Sequence, residues 1–260
     1  MNDKVKLPGG TARFDFAGQS ALVTGAGRGV GEVIARELHA SGARVAVSDV
    51  DAQAVQRVAT SLDASGATAI GLVLDVREKS AFESARDRIA AQWGSTHIVV
   101  NNAGYAKRTP VDEITPEEFD DIVAINMRSV FLSCQVFSAH MRANGFGRIV
   151  NVTSLAGQNG GTVAAAHYAA AKAGATMLSR YFAQQLAGSG VTVNAISPGP
   201  LSTAKGRLTD EQKAMIEKRV PIGRFGEAEE IAGAVALLAS DRGGFFVGAT
   251  LDMNGGLFMR

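Results

Sequence analysis

The chain is poor in the residues that staple, stack or charge a protein. It has one cysteine, one tryptophan and three tyrosines in 260 residues. A single cysteine, Cys134, excludes an internal disulfide framework and fits a reducing, cytoplasmic compartment. Its apolar neighbours over 130–136 make it buried filler rather than a reactive thiol. Acidic residues number 25 against 26 basic ones, which leaves no excess charge for nucleic acid or an anionic membrane. No run of about 18 apolar residues occurs, so no membrane span is expected. The opening segment M-N-D-K-V-K-L-P-G-G has no apolar stretch behind its lysines and lacks the form of a secretory leader. Residues 1–16 read as a loose arm.

What the chain does have is apolar residues, 46% of the total, enough for one sizeable core. From Gln19 onward, short apolar runs alternate with helical stretches. Strands are expected at 21–24, 45–48, 70–74, 97–100, 149–152, 191–196 and 250–253. The runs are continuous rather than alternating, as in strands buried on both faces. This alternation predicts an α/β fold: a single-domain, Rossmann-type doubly wound parallel sheet of about seven strands flanked by helices, over residues 17–260. The long irregular stretch is 198–208.

Thr24-Gly25-Ala26-Gly27-Arg28-Gly29-Val30-Gly31 follows the first strand and opens the first helix. Its glycines read G-x-x-x-G-x-G, not the literal dinucleotide spacing, but the physics is shared. Gly25 permits a tight turn, Gly29 lets backbone approach a pyrophosphate, and Gly31 lets helix pack on strand. The helix start, with Arg28 and Val30 beside it, offers N–H groups and partial positive charge to an anion. Asp49 ends the second strand, and a carboxylate there accepts bonds from both adenosine ribose hydroxyls while repelling a 2′-phosphate. NAD(H) is therefore the preferred cofactor, and Arg28, which could pair with that phosphate, keeps NADP(H) possible. Asp75 and Val76, ending the third strand, are candidates for touching the adenine. Asn102, Ala103 and Gly104, in the N-N-A-G turn after the fourth strand, bring backbone close to a ligand. A plain turn or turn cap is the alternative at each of these positions.

Tyr168 stands four residues before Lys172 in Y-A-A-A-K, among good helix formers over 164–186, so the two side chains share a helix face. An ammonium beside a phenol favours phenolate and predicts proton exchange nearer neutral pH than the usual ~10. Ser154 follows the apolar run 149–153, which puts its hydroxyl at the carboxyl end of the fifth strand. Asn126, polar within the apolar part of a helix expected over 116–143, requires a buried partner. For Ser154 and Asn126 taken singly, structural satisfaction is an equal reading. His167 points about 100° from Tyr168 and is expected to pack or face solvent. His39, His97 and His140 lack ligand spacing, so no metal site is expected. Trp93 reads as core or rim.

With these residues in view, the chain resembles the short-chain dehydrogenase/reductase family. The resemblance covers 16–257 and rests on T-G-A-G-R-G-V-G at 24–31, N-N-A-G at 101–104, Asn126, Ser154, Y-A-A-A-K at 168–172 and S-P-G-P at 197–200. It implies hydride transfer between a nicotinamide cofactor and a secondary alcohol or ketone, with Asn126, Ser154, Tyr168 and Lys172 as a catalytic tetrad. Tyr168 is then the general acid and Ser154 a donor to the oxyanion. Lys172 favours phenolate and holds the nicotinamide ribose, and Asn126 holds a water that links Lys172 to solvent. Pro198, Gly199 and Thr203 would lie around the nicotinamide carboxamide. The segment 201–224 would be a lid, although its mixed charges read as a solvated helix. The family further implies homotetramers or homodimers built on the helices that carry Asn126 and Tyr168.

The nearest subgroups are 3-oxoacyl-acyl-carrier-protein reductases and secondary-alcohol or sugar dehydrogenases. We expect an NAD(H)-dependent dehydrogenase of a small secondary alcohol or sugar. One alternative is an acyl-carrier or acyl-CoA ketoreductase using NADPH. Against it stand Asp49 and the uncharged stretches 143–147 and 187–189, where an acidic carrier protein would dock, with Arg142 and Arg148 as partial substitutes. The other alternative is a non-catalytic nucleotide-binding regulator, against which the intact tetrad argues.

Overall fold

The structure, a computed structural model, describes residues 14–160 and 165–260. Seven strands form one parallel sheet: β1 (Ser20–Thr24), β2 (Arg44–Asp49), β3 (Ala69–Val73), β4 (Ile98–Asn101), β5 (Gly147–Val152), β6 (Val191–Pro198) and β7 (Thr250–Met253). Their order is β3-β2-β1-β4-β5-β6-β7. The chain starts at the middle with β1, winds outward to β3, then returns beside β1 and winds the other way. That reversal opens a crevice above the carboxyl ends of β1 and β4, where open α/β sheets bind ligands. Each expected strand is present. β5 begins earlier than expected because Arg148, a charge that hid the strand start, is buried with Nη1 donating to the carbonyls of Gly147 (2.9 Å) and Gly190 (3.1 Å).

The helices are α1 (Gly29–Ala40), α2 (Ala52–Leu62), α3 (Lys79–Trp93), α4 (Pro116–Val123), α5 (Ser129–Ala143), α6 (Ala156–Asn159), α7 (Ala166–Leu186), α8 (Asp210–Arg219) and α9 (Ala228–Ala239). On one face of the sheet, Ile34, Leu38, Val55 and Val235 pack on Val23, Val45, Val47 and Val100. On the other, Phe82, Ile89, Phe137 and Leu186 pack on Leu22, Val99, Ile149 and Val193. Each such side chain contributes roughly 1.5–3 kcal/mol on leaving water. Successive strand residues alternate between the two layers, so both faces must be apolar and the strands read as continuous runs.

α4 and α5 are one helix joined through a π turn at Ala124–Arg128. The joined helix, Pro116–Ala143, meets the length and composition of a membrane span at a mean hydropathy of 1.4, which a count of consecutive apolar residues does not register. Half of its most apolar window is buried inside the molecule, packed on α3, α7 and the sheet, as in a core helix.

The arm expected over 1–16 falls mostly on 1–13, outside the described residues. Its end is packed rather than loose. Phe16 is fully buried, its N–H donates to the Ser41 carbonyl at 2.7 Å, and Phe14 stacks on it. The expected helix start at 164 is likewise outside the described residues. The stretch 198–208 is less irregular than expected, with a 3₁₀ turn at Ser202–Arg207. α8 follows, opened by a capping box in which Thr209 accepts from the Gln212 N–H and Gln212 answers to the Thr209 N–H. α8 buries no residue and is the solvated helix its charges suggested.

Candidate active site

After Thr24 the chain turns through Gly25 and Gly29, both at φ +62°, a left-handed conformation that favours glycine. A Cβ on Gly31 would lie 2.3 Å from the Gly25 carbonyl oxygen and 2.4 Å from Asn102 Nδ2, so glycine alone lets α1 rest against the N-N-A-G turn. Thr24 fastens the two loops together. Its Oγ1 accepts the N–H groups of Asn102 (3.1 Å) and Ala103 (3.0 Å). In return, Asn102 Nδ2 donates to the carbonyls of Thr24 and Gly25. No side chain caps α1, which leaves its first turn available to an anion.

Above this turn lies a cleft of about 760 Å³. Gly25, Arg28, Gly29, Val30, Gly31, Asp49, Asp75, Val76, Asn102, Ala103, Gly104 and Thr203 all line it. Asp49 is steadied by the N–H groups of Gly27 and Asp51, each at 3.3 Å. Asp75 is already engaged by Arg77, whose Nη2 stands 2.7 Å away and holds the carboxyl below its ordinary range. Arg77, Tyr105, Asp121 and Ile125 also line the cleft, and sequence reasoning missed them. Arg77 and Tyr105 lie one residue beyond the motifs already named, which is the only signal they carry.

Beside the cleft is a second cavity, of about 250 Å³, where Ser154, Tyr168, Pro198 and Gly199 meet. Ser154 hydrogen-bonds the Tyr168 phenol. Burial nevertheless pushes that phenol above its ordinary range, and the Ser154 bond only opposes the shift. Lys172 Nζ stands 5.8 Å from the centre of the Tyr168 ring and donates to the Val152 carbonyl at 2.9 Å. Burial pushes its ammonium down to about 8. The shared helix face is as expected, but the lowered tyrosine is not. Both groups are stripped of water, and desolvation drives each toward its neutral form.

Asn126 is 1% exposed, within the π turn. Its Nδ2 donates to the carbonyls of Tyr105 (2.8 Å) and Ile122 (2.9 Å), and its Oδ1 accepts the Tyr105 N–H (3.2 Å). A Cβ on Gly104 would sit 3.0 Å from that Oδ1 and 3.3 Å from Lys172 Nζ, so the N-N-A-G turn lies directly over both. π turns of this kind recur at functional sites.

His167 packs rather than facing solvent, and it is completely buried. Its Nδ1 accepts the Tyr168 N–H at 2.9 Å, which assigns the proton to Nε2, 2.9 Å from Glu118 Oε1. Thr109, Lys107 and His167 together hold the Glu118 carboxyl down to about 2. This network ties the start of α7 to α4. The remaining histidines serve packing: His39 bonds Thr68, His97 accepts the Ser20 N–H, and His140 bonds Ser95. Among the described residues, no cluster of three metal-ligating side chains occurs. Trp93 is buried with Nε1 donating to the Ala67 carbonyl, and burial pushes the Cys134 thiol up to about 12, out of reach of thiolate chemistry.

The chain matches a family model described as Enoyl-(Acyl carrier protein) reductase over residues 25–258. It is 43% identical over 253 residues to the 3-oxoacyl-(acyl-carrier-protein) reductase FabG of Escherichia coli (strain K12), covering 95% of this chain and 100% of that one. Among solved structures it is similar to a protein of Agrobacterium tumefaciens described as a candidate gluconate dehydrogenase, with a TM-score of 0.89 at 30% identity over 95% of this chain and 98% of that one. A short-chain dehydrogenase/reductase of Brucella melitensis, described as a glucose/ribitol dehydrogenase, gives a TM-score of 0.86 at 28% identity over 96% of this chain and 100% of that one.

Proposed function

The chain belongs to the short-chain dehydrogenase/reductase family and is an NAD(P)-dependent oxidoreductase acting on CH–OH groups; from that premise we propose that it interconverts a 3-oxoacyl and a 3-hydroxyacyl group, with NAD(H) preferred. The observation that carries the substrate class is the 43% identity, along nearly the whole chain, to a protein named for 3-oxoacyl reduction. It favours the acyl alternative over the small-alcohol expectation. Asp49 supports NAD(H) over its phosphorylated form, since its carboxylate lines the cleft.

The residues fit a dinucleotide. The uncapped α1 start would take the pyrophosphate, Asp49 the adenosine ribose, and Lys172 with Tyr168 the nicotinamide ribose. When bound, the cofactor gives hydride to the substrate carbon or takes it back. Tyr168 delivers a proton to the carbonyl oxygen as charge grows there, and Ser154 donates a hydrogen bond to the same oxygen. Lys172, beside the ring, favours the phenolate left behind. Asn126 braces the Tyr105 backbone, and the water relay implied for it would use the remaining lone pair of Oδ1.

The carrier is the finer question. Arg148 is committed to backbone carbonyls, so Arg142 alone remains of the basic residues near 143–147. This supports a thioester of coenzyme A over one on an acidic carrier protein. Turnover of acetoacetyl-CoA, followed by nicotinamide absorbance with NADH and NADPH, tests the whole reading. No turnover with either cofactor defeats the substrate class, and a preference for NADPH defeats the argument from Asp49.

Exposed Phe131 on α5 and Met177 and Tyr181 on α7 support a homo-oligomer, tetrameric or dimeric, built on those helices. Sedimentation as a monomer at micromolar concentration would exclude it. The buried thiol of Cys134 supports a cytoplasmic location, which recovery of the native protein from another compartment would contradict.

A further inference from the structure

The cavity beside Ser154 and Tyr168 carries fixed charge of one sign. Arg108, in the loop after β4, and Arg219, the last residue of α8, both line it, and among the described residues no Asp or Glu does. The rest of its wall is largely apolar, with Leu155, Leu208, Ile216 and Phe225. Neither guanidinium has a hydrogen bond or ion pair with another described residue. Two of the arginines that line the neighbouring cavities are paired. Arg77 holds Asp75 and Arg224 holds Glu230, each at 2.7 Å.

Both arginines are exposed where they line the cavity, so solvent screens their mutual repulsion, and an anion between them would meet two cations at once. A guanidinium fork matches the two oxygens of a carboxylate or a phosphate. The two arginines lie 111 positions apart in the chain, so no local helix or turn requirement brings them to one cavity. We propose that Arg108 and Arg219 bind an anionic group, carboxylate or phosphate, at the end of the substrate remote from the reacting carbon. The proposal deepens the functional reading and rests on it in one respect: the reacting carbon lies against Ser154 and Tyr168. A cavity of about 250 Å³ admits a short chain, so the anion is either the carboxylate of a free 3-oxo acid or a phosphate on the arm of a thioester.

The test uses two matched pairs of substrates. Acetoacetate is compared with neutral methyl acetoacetate, and acetoacetyl-CoA with the neutral acetoacetyl thioester of N-acetylcysteamine. For the pair that carries the relevant anion, kcat/KM is expected to favour the charged member. Arg108→Gln and Arg219→Gln are each expected to cut that preference about 10-fold through KM, the scale of one charge-assisted bond. Arg108→Lys and Arg219→Lys should restore part of it. A preference confined to the first pair identifies a free acid, and one confined to the second identifies the carrier's phosphate. A preference absent from both pairs, or unchanged in both Gln variants, overturns the proposal. If none of the four compounds turns over, the functional reading fails by itself. Calorimetric titration of acetoacetate into the wild type and the Arg108→Gln/Arg219→Gln double variant then decides the anion site. Heat lost in the double variant supports it, and equal or absent binding in both proteins overturns it.

Discussion

Replacing Lys172 by methionine is expected to stabilise the fold near neutral pH while removing the cation from the site. The lysine is 4% exposed, and burial pushes its ammonium from the ordinary 10.5 to about 8. A depression of that size corresponds to about 3 kcal/mol at ~1.4 kcal/mol per pH unit, and it is the cost of keeping the charged form in the folded chain. The bond from Nζ to the Val152 carbonyl, at 2.9 Å, acts in the other direction. Its loss costs about 1.5–3 kcal/mol, the scale for a charged donor. Methionine is unbranched and of similar reach, so repacking costs little. The net gain at pH 7 is therefore about 0–1.5 kcal/mol by those magnitudes.

The dependence on pH identifies the cause. The unfolded lysine keeps its proton up to about 10.5 and the folded one only up to about 8, so in between the unfolded chain binds more protons and wild-type stability rises with pH. Lys172→Met has no such proton, and its advantage shrinks as pH climbs through that window. Urea midpoints and slopes for both proteins, at one protein concentration and at pH 7, 8.5 and 9.5, give the comparison. Two curves that stay parallel, or a variant less stable at pH 7, would refute the assignment of Lys172 as a strained buried cation.

Tyr168→Phe is expected to lower kcat by at least ~100-fold, the scale of lost acid–base catalysis, with NADH affinity by fluorescence titration retained; turnover close to wild type would remove Tyr168 as proton donor. Asp49→Ser takes the carboxylate from the cleft and is expected to raise the NADPH-to-NADH ratio of kcat/KM by at least ~10-fold, about 1.4 kcal/mol. An unmoved ratio would show that Asp49 does not read the ribose. Glu118→Gln tests the tie between α4 and α7. The folded carboxyl titrates at about 2, below its ordinary 4.5, so it contributes stability above 4.5 that is lost as pH falls toward 2. The variant is accordingly expected to melt below wild type at pH 7, with the gap narrowed at pH 3 and closed only near pH 2, and a gap that does not change with pH would contradict this.

The strands were legible in the sequence because each is a continuous apolar run between Gly-, Asp- or Asn-containing turns, and burial on both faces leaves no other pattern. The glycine loop, N-N-A-G and Y-A-A-A-K were legible because each works within a few residues. The features that escaped notice are those fixed by distant chain. Ala124–Arg128 reads as ordinary helix, and its π turn follows from docking Asn126 onto the Tyr105 backbone 21 residues away. His167 meets Glu118 across 49 residues. Phe16 looked like part of an arm until Ser41 supplied its hydrogen bond. The tyrosine's titration is the sharpest case. Spacing correctly placed an ammonium one helical turn from the phenol, and from that contact alone the phenol's pKa falls. The wall closed over both groups by β5, the N-N-A-G turn and α7 withdraws water from each, and for the phenol that loss outweighs the Ser154 hydrogen bond that opposes it. A charge state depends on everything packed around a group, so a motif can bring two side chains to one helix face as read and still misjudge which of them carries the proton at rest.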